Sequence, residues 1–225
     1  MNQLVQLLKE NPIFSYLARC DLEWMANQAK MRQYAKNQTV ILYGDVWPYL
    51  FVVESGSVDA FKESGEGRSL MVNTFLAGDI FWGLAFFQEN ALMPVTLEAH
   101  EACQLHLWSR EVMSPIFERN GRMGWELCQL MAGRMQRASA ILEEMAFHPV
   151  AGRLARLLLD HFEMAGDAAI SRHLTLDEMA ARIGSTREMV CRALYSFSDK
   201  KLIEVTRTEF VLTNRAGLAH LMEWG

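Results

Sequence analysis

The chain has 225 residues, about twice a common single-domain length, so two domains are expected, with one large all-β domain as the competitor. Apolar residues make up 51% and charged residues 22%, a globular composition, and the longest apolar run, Ile80 to Phe87, is far shorter than the roughly 18 residues of a helical membrane span. The net charge of −5 argues against indiscriminate coating of nucleic acid, and its acid excess falls entirely before His148: 12 basic and 17 acidic residues precede it, and 10 of each follow.

The first residues, Met1-Asn2-Gln3-Leu4, contain no basic region leading into an apolar segment, so the expected compartment is the cytoplasm. Residues 2–30 then place Leu4, Leu7, Leu8, Phe14, Leu17, Leu22, Met25 and Ala29 at helical spacing, interrupted at Asn11-Pro12, which predicts short helices flanking something else. From Thr39 to Trp108 the texture changes to short apolar runs: Leu50 to Val53, Val58 to Phe61, and Leu70 to Leu76 with Leu70, Val72, Thr74 and Leu76 on one face. Glycine turns separate them at Tyr43-Gly44-Asp45, Ser55-Gly56-Ser57, Gly65-Glu66-Gly67 and Ala77-Gly78-Asp79, the pattern of a small antiparallel barrel or jelly roll.

The period is helical again from Ser109, and Cys128, Met131, Met135, Ala138, Leu142 and Met145 repeat at alternating three- and four-residue steps. Such a seam needs a partner helix, and the same helix of a second subunit is the expected one. His148-Pro149 ends it and marks a hinge, because the fixed φ of Pro149 suits the first turn of a new helix carrying Leu154, Leu157, Leu158 and Phe162.

The most specific pattern spans Leu174 to Phe197. Thr175 with Glu178, and Ser185 with Glu188, read as two successive capping boxes, with Gly184 between them as the left-handed residue of a tight turn. Met179, Ala180, Ile183, Val190 and Leu194 supply the buried faces of a helix-turn-helix. The second helix exposes Arg187, Glu188 and Arg192 near the end that enters a major groove, where arginine can bond guanine and glutamate can accept from cytosine. Glu188 with Arg192 is equally a favourable surface pair four residues apart. Two short strands around Arg207 make a wing, with Lys200, Lys201 and Arg207 available for phosphates.

A glycine-punctuated roll, a long helix, a hinge and a winged helix-turn-helix in this order resemble the bacterial cyclic-AMP receptor and fumarate-nitrate reduction regulator (Crp/Fnr) family of transcription regulators. The matching residues are Gly44-Asp45, Leu50 to Gly56, Gly78-Asp79-Ile80-Phe81, Ala146-Phe147, Gly152-Arg153-Leu154-Ala155 and Ser185 to Arg192. The resemblance implies an α+β protein: a double-stranded β-helix, or jelly roll, like cyclic-nucleotide-binding domains (1–110), a dimerisation helix with hinge (111–147) and a winged helix-turn-helix (148–225). It further implies a homodimer on palindromic DNA, no enzyme activity, RNA polymerase as partner, and base contacts by the positions of Arg187, Glu188 and Arg192 on a TGTGA-like half-site. Thr175, Ser185 and Thr186, at the helix starts, join them as DNA-contacting candidates.

The departures concern the effector. Cyclic-nucleotide binders of the family hold ribose with a glutamate and the cyclic phosphate with an arginine; here Gly83 and Met93 stand in those places. No lysine or arginine occurs from Ser69 to Ser109, which speaks against cyclic AMP, since a buried phosphate needs a cationic partner. Four cysteines (Cys20, Cys103, Cys128, Cys191) without a CxxC pair read as free thiols, and only Cys20 lies near the N-terminus, which speaks against an iron–sulfur cluster. Haem stays open through His100, Cys103 and His106, although strand alternation puts His106 on the solvent face; their spacing does not make a cupin metal site. The expected effector pocket comprises Gly78, Phe81, Trp82, Gly83, Phe86, Phe87, Met93, Met131, Met135 and Ser139. Either an apolar small molecule or haem binds there, or the side chains fill it and the protein acts without an effector.

Overall fold

The computed structural model describes residues 2–65, 68–166, 169–171 and 174–223. The chain divides into two compact units, residues 1–62 with 72–136, and residues 63–71 with 137–225.

The first unit opens with two helices, α1 (Asn2–Glu10) and α2 (Arg19–Gln28), and continues through eight strands: β1 (Lys30–Tyr34), β2 (Thr39–Ile41), β3 (Tyr49–Ser55), β4 (Ser57–Glu63), β5 (Ser69–Leu76), β6 (Ile80–Trp82), β7 (Thr96–Ala99) and β8 (Cys103–Ser109). They form two four-stranded sheets, ordered β1-β8-β3-β6 and β2-β7-β4-β5, the layout of a roll. In β3, which is buried along most of its length, Phe51 and Val53 face the roll interior with Val58, Leu97, Leu105 and Leu107. Leu50 and Val52 face outward and pack under α1, α2, α3 (Arg110–Arg119) and the start of α4 (Gly121–Phe147), together with Leu8, Phe14, Met25, Trp82, Trp108 and Leu127. The central strands β3 and β8 of the first sheet are thus buried on both faces, whereas the edge strand β1 is exposed apart from Tyr34.

That second cover corrects the placement of His106 on a solvent face. The alternation is as expected, with Cys103, Leu105 and Leu107 pointing inward, but the opposite face carries helices, so His106 is 7% exposed and Trp108 donates from its indole N–H to the Met25 carbonyl at 2.8 Å. In β5 Phe75 is buried, Val72 packs partly buried against the same core, and Leu76 at the strand end is exposed. Of the expected Gly65-Glu66-Gly67 turn, Glu66 and Gly67 lie outside the described residues.

In the second unit, α5 (Val150–Ala165) starts directly after Pro149, as its restricted φ favours. It packs with α6 (Leu176–Arg182), α7 (Arg187–Asp199) and α8 (Arg215–Glu223) around Leu154, Leu158, Phe162, Met179, Val190, Phe197 and Phe210. A three-stranded sheet, ordered β10 (Ile203–Val205), β11 (Glu209–Leu212) and β9 (Ala169–Ser171), completes the unit. The wing hairpin was legible in the sequence; β9 was not anticipated.

Helix α4 has 27 residues, about 40 Å of helix, and continues without a break to Phe147. Along the expected seam Cys128, Met131, Met135, Ala138 and Leu142 are exposed and Met145 is half-buried, with Met135 at 71% and Leu142 at 68% exposure. No helix among the described residues is long and apolar enough to cross a membrane.

Candidate DNA-reading face and the mouth of the roll

The reading face is set by local capping chemistry. Thr175 accepts from the Glu178 amide at 3.1 Å, and the Glu178 carboxylate takes the Thr175 amide at 2.6 Å, so the first capping box forms as expected. Gly184, at φ +60°, makes the turn. The second cap differs from expectation by one residue. Thr186 caps α7, accepting from the Met189 amide at 3.3 Å, while Ser185 is 8% exposed and gives its amide to the Ala180 carbonyl at 2.9 Å. Two adjacent hydroxyl residues can both serve as caps, and the turn buries the first, which leaves the second to satisfy the helix start.

With Val190, Ala193, Leu194 and Phe197 buried, α7 turns Arg187, Glu188 and Arg192 outward, with side-chain exposures of 66%, 72% and 68%. Arg192 pairs with Glu188, the ordinary surface arrangement four residues apart, and Arg187 pairs with Asp177 of α6 at 3.1 Å. Asp177 was not among the expected site residues; as an acid in the first turn of α6 it reads as a helix-dipole partner. Tyr195, 75% exposed one turn beyond Arg192, is a further large group on α7 left in solvent. Lys200, Lys201 and Arg207 are exposed; Lys201 has φ +54°, and Arg207 sits in the wing turn closed by Thr206 and Glu209. Arg153 donates to the carbonyls of His148 and Ile183 at 2.6 and 2.8 Å, tying His148 to the end of α6, and burial pushes its guanidinium below the usual arginine range.

The expected effector residues do not form one group. Trp82 and Phe86 belong to the outer core beneath the helices, Phe86 edge-on to Phe117, and Met93 is 1% exposed in the roll interior. Met131, Met135 and Ser139 are exposed on α4. Gly78 belongs to the β5–β6 turn, where its carbonyl accepts from Asn11 at 2.9 Å. Gly83 is pressed against the Trp47 backbone: a Cβ added there would lie 2.0 Å from the Trp47 carbonyl oxygen. Phe87 is 42% exposed, edge-on to both Trp82 and Phe86.

What fills the mouth is an aromatic cluster. β6 and β5 are edge strands of the two sheets, and Phe81 meets Phe75 across them at a centroid distance of 4.7 Å, with Phe51 at 5.4 and 6.3 Å from the two rings. Over this cluster α4 lays Arg134, whose guanidinium stands 4.5 Å from the Trp82 ring, 5.3 Å from Phe75 and 5.8 Å from Phe81, and donates to the Ile80 carbonyl. The mouth therefore contains a cation after all. The absence of lysine and arginine from Ser69 to Ser109 is real, but the charge arrives from a helix more than fifty residues further along the chain.

The histidines hold carboxylates. His106 Nε2 lies 2.8 Å from Glu54, which also takes the Gln104 amide, and His100 Nδ1 lies 2.9 Å from the buried Asp59, which accepts from Thr74 at 2.5 Å. Burial pushes the Cys103 thiol above its ordinary pKa. No group of three or more His, Cys, Asp or Glu arranged to hold a metal occurs among the described residues.

Two family models match this architecture, a cyclic nucleotide-binding domain over residues 31–120 and a Crp-like helix-turn-helix domain over residues 152–221. The chain is 27% identical to the cAMP-activated global transcriptional regulator Vfr of Pseudomonas aeruginosa over 77% of its own length and 85% of that protein. It is 25% identical to the cAMP-activated global transcriptional regulator CRP of Pasteurella multocida over 81% of its length and 89% of that protein. Among solved structures, a Crp/Fnr-family regulator from Eubacterium rectale superposes with a TM-score of 0.77 at 20% identity, covering 94% of this chain and 98% of the other. The c-di-GMP responsive regulator CLP of Xanthomonas campestris superposes with a TM-score of 0.76 at 22% identity, covering 87% and 99%. With a roll of the cyclic-nucleotide-binding type followed by a winged helix-turn-helix that exposes Arg187, Glu188 and Arg192, the chain belongs to the Crp/Fnr family of DNA-binding transcription regulators.

Proposed function

We propose that this regulator acts as a homodimer joined along α4, in which 1–110 sense, 111–147 join and hinge, and 148–225 read a palindrome with TGTGA-like half-sites about one helical turn apart. The observation that carries the reading is the outward display of Arg187, Glu188 and Arg192 from the first two turns of α7. Arg187 reads guanine, Glu188 accepts from cytosine, and Lys200, Lys201 and Arg207 take phosphates, with Thr175, Ser185 and Thr186 at the helix starts toward the backbone. The exposed apolar stripe at Cys128, Met131, Met135, Ala138 and Leu142, continued by Met145, supports the dimer, because a solvent-facing row of this kind on a 27-residue helix calls for a partner. RNA polymerase is the partner that transcription control requires, and the cytoplasm is where both meet DNA.

Control by a cyclic nucleotide is disfavoured by Gly83. The family's ribose-binding glutamate would stand at a position with no room for a Cβ, and three phenylalanines occupy the roll beside it. Haem is disfavoured by the engagement of His100 and His106 with Asp59 and Glu54. The effector is a different small molecule bound at the mouth of the roll, or none.

Fluorescence anisotropy with a labelled TGTGA palindrome and a scrambled duplex tests the DNA reading. Wild-type protein prefers the palindrome, and Arg187→Ala loses about 1–3 kcal/mol on it while relaxing base preference. Unchanged preference in the variant sinks the recognition assignment. Micromolar binding of cyclic AMP in calorimetry sinks the exclusion of cyclic nucleotides.

A further inference from the structure

The outward stripe of α7 carries a tyrosine among its charged residues. Seven residues make close to two helical turns, so Tyr195 returns to within about 20° of Glu188, with Arg192 about 40° to the other side. Val190, Ala193, Leu194 and Phe197 are buried on the opposite face of the helix, and Tyr195 is left 75% exposed. We propose that Tyr195 lays its ring on the C5-methyl group of a thymine in the major groove, and so adds a thymine to the bases selected by Arg187, Glu188 and Arg192. The proposal rests on the reading of α7 as the helix that enters the groove.

The angle of Tyr195 on the helix selects a base over a phosphate. Phosphates line the walls of the groove and are met from the flanks of a helix lying in it, whereas the side opposite the protein core faces the floor, where the base edges lie. Tyr195 is on that side, in line with Glu188. Chemistry then selects the base. Apart from its hydroxyl a tyrosine side chain is apolar, and the C5-methyl of thymine is the apolar group that base pairs present in the major groove. Guanine, adenine and cytosine offer hydrogen-bonding atoms there, which a ring face does not match. Position along the helix accounts for the size of the residue. Tyr195 lies about 10 Å further from the helix start than Glu188, and the N-terminal end of a recognition helix is the part that contacts bases most closely, so a side chain in the third turn needs length to reach a base edge. Tyrosine supplies that reach with only two side-chain torsions, so little conformational freedom is lost on contact. Asp199, exposed one turn further on, closes the stripe with a negative charge, so contacts to phosphate do not continue past Tyr195 along this line.

The experiment measures anisotropy of the full-length protein on a TGTGA palindrome whose flanks and spacer are A·T pairs, and on duplexes in which each thymine in turn is replaced by uracil, which lacks only the methyl group. The expected result is a thymine position at which uracil weakens wild-type binding about fourfold per half-site, or about fifteenfold with both halves changed, the effect of burying one methyl-sized group. At that position the penalty disappears in Tyr195→Ala and persists in Tyr195→Phe, which keeps the ring and deletes the hydroxyl. Tyr195 is exposed and outside the core of its unit, so both variants melt with the wild type in thermal unfolding. A palindrome in which no thymine methyl matters, or a penalty as large in Tyr195→Ala as in the wild type, overturns the proposal. So does a Tyr195→Phe variant that behaves as Tyr195→Ala, since the contact would then be made by the hydroxyl. A scrambled duplex run alongside keeps the two readings apart. Preference for the palindrome without coupling between a methyl group and Tyr195 refutes only the thymine contact, and no preference for it refutes the DNA reading and the thymine contact together.

Discussion

Replacing Gly83 by alanine isolates the steric argument against a cyclic-nucleotide site. The new Cβ would sit 2.0 Å from the Trp47 carbonyl oxygen and 2.8 Å from Trp47 Cβ. A carbon against a carbonyl oxygen settles at about 3.3 Å or more, so one backbone must move by about 1 Å. Neither side is free to yield: Trp47 is 6% exposed and stacked edge-on to Tyr49 at 5.3 Å, and Gly83 gives its amide to the Tyr49 carbonyl at 3.1 Å. Overpacking of this kind costs about 1–3 kcal/mol, and with backbone on both sides the upper end applies. For a protein of this size about 3 kcal/mol lowers the unfolding midpoint by roughly 6–12 °C. Thermal unfolding followed by tryptophan fluorescence reads the right unit, because five of the six tryptophans (24, 47, 82, 108 and 125) lie in it. Leu84→Ala, at a neighbouring exposed side chain, is the control. If Gly83→Ala melts within about 1 °C of wild type, the close approach is relaxed at no cost and the argument from Gly83 fails.

Asp177→Asn removes an acid from the reading face and frees Arg187; the exposed pair is worth at most about 1 kcal/mol, so palindrome affinity changes little while scrambled duplex binds about two- to fivefold tighter. Unchanged binding of scrambled DNA in anisotropy counts against a repulsive role for Asp177. Leu142→Glu puts like charges into the proposed seam and yields monomers in sedimentation velocity where the wild type is dimeric; a dimer retained by the variant removes α4 as the joint. In a native thiol titration with Ellman's reagent, Cys20 reacts readily and the half-buried Cys191 more slowly, Cys128, exposed on the single chain, is shielded in the proposed dimer, and Cys103, buried and with its thiol pushed up by desolvation, reacts only after unfolding. Rapid reaction of all four would show that the roll opens around β8. Thr175→Ala deletes the capping box of α6 and costs about 1 kcal/mol in urea unfolding; no change would mean the helix start is satisfied without it.

The helix-turn-helix was legible because its chemistry is short-ranged. A cap, its glutamate three residues on, a left-handed glycine and a row of small apolar residues lie within two dozen positions, and each acts on its immediate neighbours. Even there the expected cap, Ser185, was one residue off, because packing buries the serine and Thr186 caps the helix instead. The exposed apolar stripe of α4 was legible for the same reason: a helical period shows in any window long enough to contain it.

The roll behaved differently. Its strands and turns were mostly readable, but which side of a strand meets solvent was not, since that depends on helices from both ends of the unit. His106 alternates as a surface residue should and is nevertheless covered by them. The charge at the mouth was invisible for a related reason. No lysine or arginine occurs from Ser69 to Ser109, and Arg134 arrives at the mouth only because α4 packs beside β6. Local hydrogen bonding and periodicity determine which elements form and which of their faces are apolar. Which side chain ends up against which ring, and whether a second layer buries a polar face, is decided by contacts between segments distant in the chain, whose closure no local pattern records.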